Sequence, residues 1–383
     1  MMKLFKDLHI WLSIPFGLVM SLICFTGATL IFEKEISRAI QHDLYYVAST
    51  EGEPLDVGEL VASVEPLLDE GQQVTGVTIL DDSRRCYVVN LSTPKGASIL
   101  VDQYTGEIKG KVERLGFFRM MFRLHRWLLD SRPEDGSIYW GKVIVGISTL
   151  LMVIVILTGV VIWWPKSLKA LKHRVSVKLR MGWHRLFYDL HVAGGIYATL
   201  LLLVMALTGL TWSFEWYRTG LYSLFGVEQQ RKVDATNHNA EGERKGGRGS
   251  AEEATPYLHW QEIYDELSTN VADFSEITIS KGSASVKTPH FGNQRGSDKY
   301  LFDNATGVMT GEELYASASD ATKLRGWIFS LHVGNFGGIV TRVMWLLASL
   351  LGATLPLTGY YLWIKRKFFK RRNHHCNNCC YCE

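Results

Sequence analysis

Four of the twelve histidines recur in matched contexts. His9 ends Asp7-Leu8-His9, and His191 ends Asp189-Leu190-His191. His125 ends Phe122-Arg123-Leu124-His125, and His332 ends Phe329-Ser330-Leu331-His332, at a somewhat larger offset. A neutral imidazole is a metal ligand, and two imidazoles facing one another from different helices hold a six-coordinate haem iron in a helical bundle. His184 lies two helical turns before His191. That puts both on one helical face, so it competes as a ligand. Within the long apolar runs a Thr-Gly step occurs four times, ending at Gly27, Gly159, Gly209 and Gly359. A missing Cβ lets a flat macrocycle approach a helix backbone; close packing of small residues between membrane helices gives the same pattern. Arg119, Arg123 and Arg126 surround His125. They suit haem propionates and equally suit interfacial anchoring. No Cys-x-x-Cys-His is present, so haem b rather than haem c is expected, in two copies. A last cluster, His374-His375-Cys376 with Cys379, Cys380 and Cys382, has the ligand chemistry of a Zn, Cu or Fe site but no folded context. It reads either as a labile site or as an unliganded tail.

Something must hold these side chains at defined depths. Bulk composition hides it: the 383 residues are 47% apolar and 21% charged with a net charge of +3, as in an average soluble protein. Those values exclude a disordered chain, a collagen-like repeat and a small disulfide scaffold. Yet residues 8–32, 143–164, 190–214 and 343–364 carry no charge at all. Each can cross a hydrocarbon core of about 30 Å as a helix. The first run is too long for a cleaved signal peptide and lacks a small-residue cleavage site before Glu33. Seven Lys and Arg, with no acid, lie between Pro165 and Tyr188; six more follow the fourth run from Lys365 to Arg372; Lys3 and Lys6 precede the first. The positive-inside rule then puts both termini and the basic loop in the cytoplasm of an inner-membrane protein. The basic loop serves topology, or it is a patch for lipid or a partner. No nucleic-acid partner is expected. Of the cysteines, only Cys86 lies in an external segment and Cys24 lies in the first span, so no external disulfide is expected.

The chain is duplicated. Thr26-Gly27 matches Thr208-Gly209, and Phe32-Glu33 matches Phe214-Glu215, at the same offset as the first histidine pair. Asp102-Gln103-Tyr104-Thr105-Gly106 matches Asp303-Asn304-Ala305-Thr306-Gly307, and Leu157-Thr158-Gly159 matches Leu357-Thr358-Gly359. The offset grows across a polar run, Arg231 to Thr255, that reads as an inserted flexible loop. Each half is helix, external domain, His-bearing helix, helix. The parts are residues 1–33 (first span), 34–112 (external domain), 113–165 (His-bearing helix and second span), 166–188 (basic loop), 189–215 (third span), 216–312 (second external domain, carrying the insert 231–255), 313–368 (His-bearing helix and fourth span) and 369–383 (tail). Both halves cross in the same direction, as parallel repeats related by an axis along the membrane normal. The fold expected is a four-helix transmembrane bundle with two small extracytoplasmic α+β domains. His9 and His191 then lie near the cytoplasmic face and His125 and His332 near the outer face. A twofold axis brings each pair together.

Within the external segments, residues 54–71 show a helical apolar pattern, followed by strand-like runs at 74–80, 86–91 and 97–101. The second copy predicts a helix at 257–268 and strands near 276–279, 284–288 and 299–302. Neither pairs a nucleophile with a base, so both read as binding or positioning modules.

These motifs together resemble the PepSY-associated transmembrane family: Asp7-Leu8-His9 with Phe25-Thr26-Gly27, Val101 to Gly106, Leu124-His125-Arg126-Trp127-Leu128, Asp189-Leu190-His191 with Leu207-Thr208-Gly209, and Leu331-His332 with Leu357-Thr358-Gly359. The likeness spans about residues 1–368 and implies PepSY-like external domains. Members of the family resemble inner-membrane dihaem ferric-siderophore reductases of iron uptake. That likeness implies haem ligation by His9, His125, His191 and His332, a cytoplasmic electron donor, and a ferric siderophore or other ferric chelate as substrate. The second external domain is degenerate, no flavin domain is fused, and the Cys-rich tail is outside the family pattern. Two other readings compete. A PepSY-type protein could modulate a protease or a signal, with structural histidines. A transporter is disfavoured because the spans carry no Asp, Glu, Lys or Arg for ion coupling.

Overall fold

The computed structural model describes residues 1–94, 96–178, 180–227, 257–288 and 292–369. The insert at 231–255 and the tail cysteines Cys376, Cys379, Cys380 and Cys382 lie outside the described residues. In chain order the elements are α1 (Met2–Leu30), α2 (Glu33–Ile40), α3 (His42–Tyr45), α4 (Val57–Val64), β1 (Val74–Leu80), β2 (Tyr87–Leu91), β3 (Ser98–Val101), β4 (Ile108–Lys111), α5 (Gly116–Trp127), α6 (Trp140–Trp163), α7 (Leu168–Val175) and α8 (Trp183–Asp189). A π turn (Leu190–Gly194) joins α8 to α9 (Gly195–Ser213). There follow α10 (Glu215–Leu224), α11 (Trp260–Asn270), β5 (Glu276–Ser280), β6 (Ser283–Lys287), β7 (Asp298–Phe302), β8 (Met309–Glu313), α12 (Asp320–Val333) and α13 (Gly338–Ile364). They form two compact units. One holds Met1–Glu33, Leu115–Leu221 and the chain from Ile328 on; the other holds Lys34–Arg114 and Tyr222–Trp327.

The first unit is a membrane bundle. Its four long apolar helices are Met2–Leu30, Trp140–Trp163, Trp183–Ser213 and Gly338–Phe368, each long enough to cross a bilayer. All four uncharged sequence runs fall inside them, save a few residues at their ends. They pack in a ring: α1 touches α6 and α13, and α9 touches the same two. Small residues let the backbones approach. Gly17, Ser21, Cys24 and Ala28 of α1 are buried, as are Ala348, Ser349, Gly352 and Ala353 of α13. The Ser21 hydroxyl donates to the Ala353 carbonyl, and a Cβ on Gly352 would sit 2.7 Å from Leu202 and 3.0 Å from the Cys24 sulfur. Leu18, Ile154, Leu200 and Leu347 face outward. In water such a belt would be a liability; facing lipid it costs nothing.

The second unit is one antiparallel eight-stranded sheet in the order β4-β3-β2-β1-β5-β6-β7-β8. Period-two alternation buries one face: Ile277 and Ile279 of β5 are fully covered while Glu276, Thr278 and Ser280 are not. That face meets α4 and α11 in a single core that includes Leu60, Val61, Val64, Trp260, Ile263 and Leu267. Asp56 caps α4, accepting from the amides of Gly58 and Glu59. Sequence patterning anticipates β1, β2, β3, β5, β6 and β7. It misses β4 (Ile-Lys-Gly-Lys) and β8 (Met-Thr-Gly-Glu-Glu), the two sheet edges. Their half-exposed, Gly- and charge-containing sequences have no alternation to read.

The expectation of two separate external domains is corrected here. In each lobe β1 or β5 would be an open edge with a row of unsatisfied backbone groups. The structure pairs these edges with each other, over Gly76↔Ser280, Val77↔Ile279, Thr78↔Thr278, Ile79↔Ile277 and Leu80↔Glu276. At the middle of this ladder the hydroxyls of Thr78 and Thr278 lie 2.8 Å apart. A Cβ added at Gly76 would stand 2.5 Å from the Ile279 carbonyl oxygen. Gly76→Val should therefore open this seam and cost about 1–3 kcal/mol, the usual range for forced overpacking. Thermal unfolding of the full chain in detergent, followed by its strand circular-dichroism signal, reads the effect. An unchanged melting curve would contradict the seam.

Candidate functional site

The four repeat-matched histidines come together in two pairs inside the membrane bundle. The rings of His9 and His191 have centroids 6.3 Å apart with planes at 86°. Those of His125 and His332 are 6.2 Å apart with planes at 52°. A metal bound by two opposed imidazoles at about 2 Å per bond, with about 1 Å more from each ring nitrogen to its centre, sets the centroids about 6 Å apart. Both spacings match. Among the described residues no group of three His, Cys, Asp or Glu is placed to hold a metal ion.

Each imidazole is anchored to a neighbouring helix through Nδ1. His9 Nδ1 lies 3.0 Å from the Val155 carbonyl and 3.2 Å from the Thr158 hydroxyl. His191 repeats this with Leu355 (3.1 Å) and Thr358 (3.1 Å), His125 with Ile23 (2.9 Å) and Thr26 (3.3 Å), and His332 with Met205 (3.0 Å) and Thr208 (3.2 Å). A carbonyl can only accept, so Nδ1 must carry the proton. The threonine hydroxyl spends its own hydrogen on the preceding helical turn. Thr26 donates to the Leu22 carbonyl at 2.7 Å and Thr208 to the Val204 carbonyl at 2.6 Å. That leaves an oxygen lone pair for Nδ1–H. Nε2 is thereby deprotonated and available as a ligand at all four positions. The sequence reading passed over the contact of these threonines with the imidazoles. Their signal was present, since each precedes the glycine that the spacing singled out.

Each of the four glycines faces one of these imidazoles. A Cβ at Gly27 would meet His125 Cε1 at 3.0 Å; at Gly159, His9 at 3.3 Å; at Gly209, His332 at 3.1 Å; at Gly359, His191 at 3.2 Å. The missing side chain makes room for an imidazole at each of the four positions. One Thr-Gly step therefore does both jobs, orienting the ring and making room for it. His9 and Gly27 share α1. The rise of an α-helix then separates the two layers by roughly 27 Å.

The other sequence-selected residues divide. Arg126 is half-buried, with its guanidinium 5.1 Å from the Trp127 ring centre and 5.7 Å from that of Phe122, and its charge acts on both His125 and His332. Arg123 is exposed and donates to the Leu129 carbonyl at 2.8 Å and to Ser131 at 3.3 Å. It thereby closes the end of α5. Trp212 meets His332 edge-on at 5.0 Å. His184 joins neither pair: it is exposed and lies 5.9 Å from the Tyr361 ring. Both side chains meet α13, as the spacing implied, but seven residues set His184 roughly 10 Å along the helix axis from His191.

In protein freed of any cofactor, ¹⁵N-histidine spectra should show four imidazoles locked with the proton on Nδ1. Thr358→Val should loosen one of them. Gly209→Val should displace the His332 ring, which cannot share that space. Four freely exchanging rings would refute the anchoring.

The sequence pattern described as the PepSY-associated TM region matches residues 6–366, which takes in all four histidines and all four Thr-Gly steps. No curated protein matches the chain. A membrane bundle with a separate strand-rich unit, matched over nearly its whole length, places the chain in the PepSY-associated transmembrane family.

Proposed function

We propose that the chain is a dihaem b-type cytochrome of the inner membrane that passes electrons from a cytoplasmic donor to a ferric siderophore or other ferric chelate outside. The observation that carries this is the pair of matched imidazole spacings, 6.3 and 6.2 Å, with every Nδ1 proton committed to a neighbouring helix. His9 and His191 would hold the inner haem, and His125 and His332 the outer. When bound, the haems would supply one-electron redox chemistry on both sides of the hydrocarbon layer. The protein's own contribution is to fix the ligands. Anchored Nδ1–H groups set ring orientation and raise ligand basicity at Nε2. Arg126 makes no ion pair among the described residues and could meet a haem propionate. Arg123, committed to the end of α5, is the weaker partner for such a group. One electron converts Fe(III) to Fe(II), which hard oxygen ligands hold far less tightly, so reduction releases the metal.

Orientation follows from charge: basic flanks at both termini and between the second and third spans favour a cytoplasmic location for all three. Two parallel repeats account for the palindromic strand order, the Thr78–Thr278 contact and the ring order of the spans.

Purified protein from haem-replete cells should give b-type bands in a dithionite-reduced minus oxidised spectrum. His125→Ala and His332→Ala should each remove the same haem, and His9→Ala and His191→Ala the other. Absence of bands would refute the cytochrome, and loss of different haems within a pair would refute the pairing.

A further inference from the structure

We infer that the segment joining the second and third spans is a docking platform for an acidic, soluble one-electron carrier that supplies the His9/His191 layer. This rests on the function proposed above. The segment has no acid between Pro165 and Tyr188. Lys166, Lys169, Lys172 and Arg180 are exposed and make no ion pair among the described residues.

Topology alone needs only that the charges be present; it does not need them folded. Here they are fastened at three points. The Arg174 guanidinium takes up the carbonyls of Ile162, Trp163 and Trp164, the orphan acceptors at the end of α6. The Tyr197 hydroxyl donates to the Val175 carbonyl at 2.8 Å. Asp189, only 2% exposed, accepts from the Lys178 amide at 3.0 Å and from Arg185 at 3.0 and 2.9 Å. A buried carboxylate tolerates such a site only when paired this fully. Its repeat counterpart Asp7 is exposed and makes no ion pair among the described residues, so the fixture belongs to this half of the chain alone.

These ties put the platform beside the inner ligand. Asp189 stands two residues before His191, and α7 packs on the π turn that carries His191. Ser167 caps α7 at the Ala170 amide, so Lys169 and Lys172 stand on one ordered helix face. A fixed array of cations beside a redox centre attracts and orients an anionic protein face. Anionic lipid is the rival occupant, and exposed Leu168 and Trp164 would suit an interface. Lipid headgroups, however, are attracted by flexible basic segments without any fold. The three fastenings favour a partner that reads geometry.

The test uses the full chain in nanodiscs of neutral phosphatidylcholine, with an acidic flavodoxin hydroquinone as probe. Binding and haem reduction are recorded separately. Binding should weaken as salt rises. Lys169→Glu with Lys172→Glu should weaken it on the order of tenfold and slow flavodoxin-driven reduction in parallel. The same variant should gain binding to a basic carrier such as cytochrome c. Asp189→Asn, which frees the platform while keeping its cations, should weaken flavodoxin binding in its folded fraction. Binding indifferent to salt and to charge reversal, in protein that shows haem bands, overturns the platform. So does an effect that appears only when anionic lipid replaces phosphatidylcholine. Flavodoxin binding to protein with no haem bands instead overturns the function proposed above, and with it delivery to His191.

Discussion

The bundle depends on a single recurring contact, an imidazole N–H donated to a helix carbonyl on a neighbouring span. Inside a bilayer an unpartnered polar ring is expensive. Each of the four histidines avoids that cost by reaching across to another helix: His9 to α6, His191 to α13, His125 to α1 and His332 to α9. These contacts tie α1 to α6, the turn carrying His191 to α13, α5 to α1 and α12 to α9. The bundle's own interhelical contacts thus hold both imidazole pairs in place. Small-residue packing between α1 and α13 supplies the close approach, but it has no polarity of its own to set rotation about the helix axes. The histidine anchors do.

Much of this was legible in the sequence, because lipid and repetition both leave strong marks. Uncharged runs of membrane length gave the spans, and matched offsets gave the four histidines and four glycines. The role of each glycine was not legible. Spacing can show that a Cβ is absent, but only the fold shows that the vacated space belongs to an imidazole. His184 illustrates the reverse limit. Its spacing from His191 correctly puts both on the side that meets α13, but a shared face is not a shared depth: seven residues separate them by roughly 10 Å along the axis. The seam between β1 and β5 was invisible for a third reason. Which edge pairs with which is decided by backbone groups that every residue carries, so nothing in the side-chain pattern announces it.

The two imidazole pairs share a plan and differ in their surroundings. The rings of His9 and His191 stand nearly perpendicular, while those of His125 and His332 are tilted at 52°. Arg126 lies near the His125/His332 pair and Trp212 touches it; near the His9/His191 pair, charge is arranged instead as a buried carboxylate, Asp189, tied to a basic segment. Two pairs of similar spacing thus sit in different electrostatic surroundings.

The shared seam makes each half of the chain structurally incomplete without the other. A protein ending near residue 188 would contain His9 and His125, each anchored but facing nothing. Its sheet would stop at β1 with an open edge. The second half of the chain meets each deficit in its own unit: His191 and His332 in the bundle, β5 in the sheet. One covalent chain supplies both halves, so neither the imidazole pairs nor the seam depends on protein concentration.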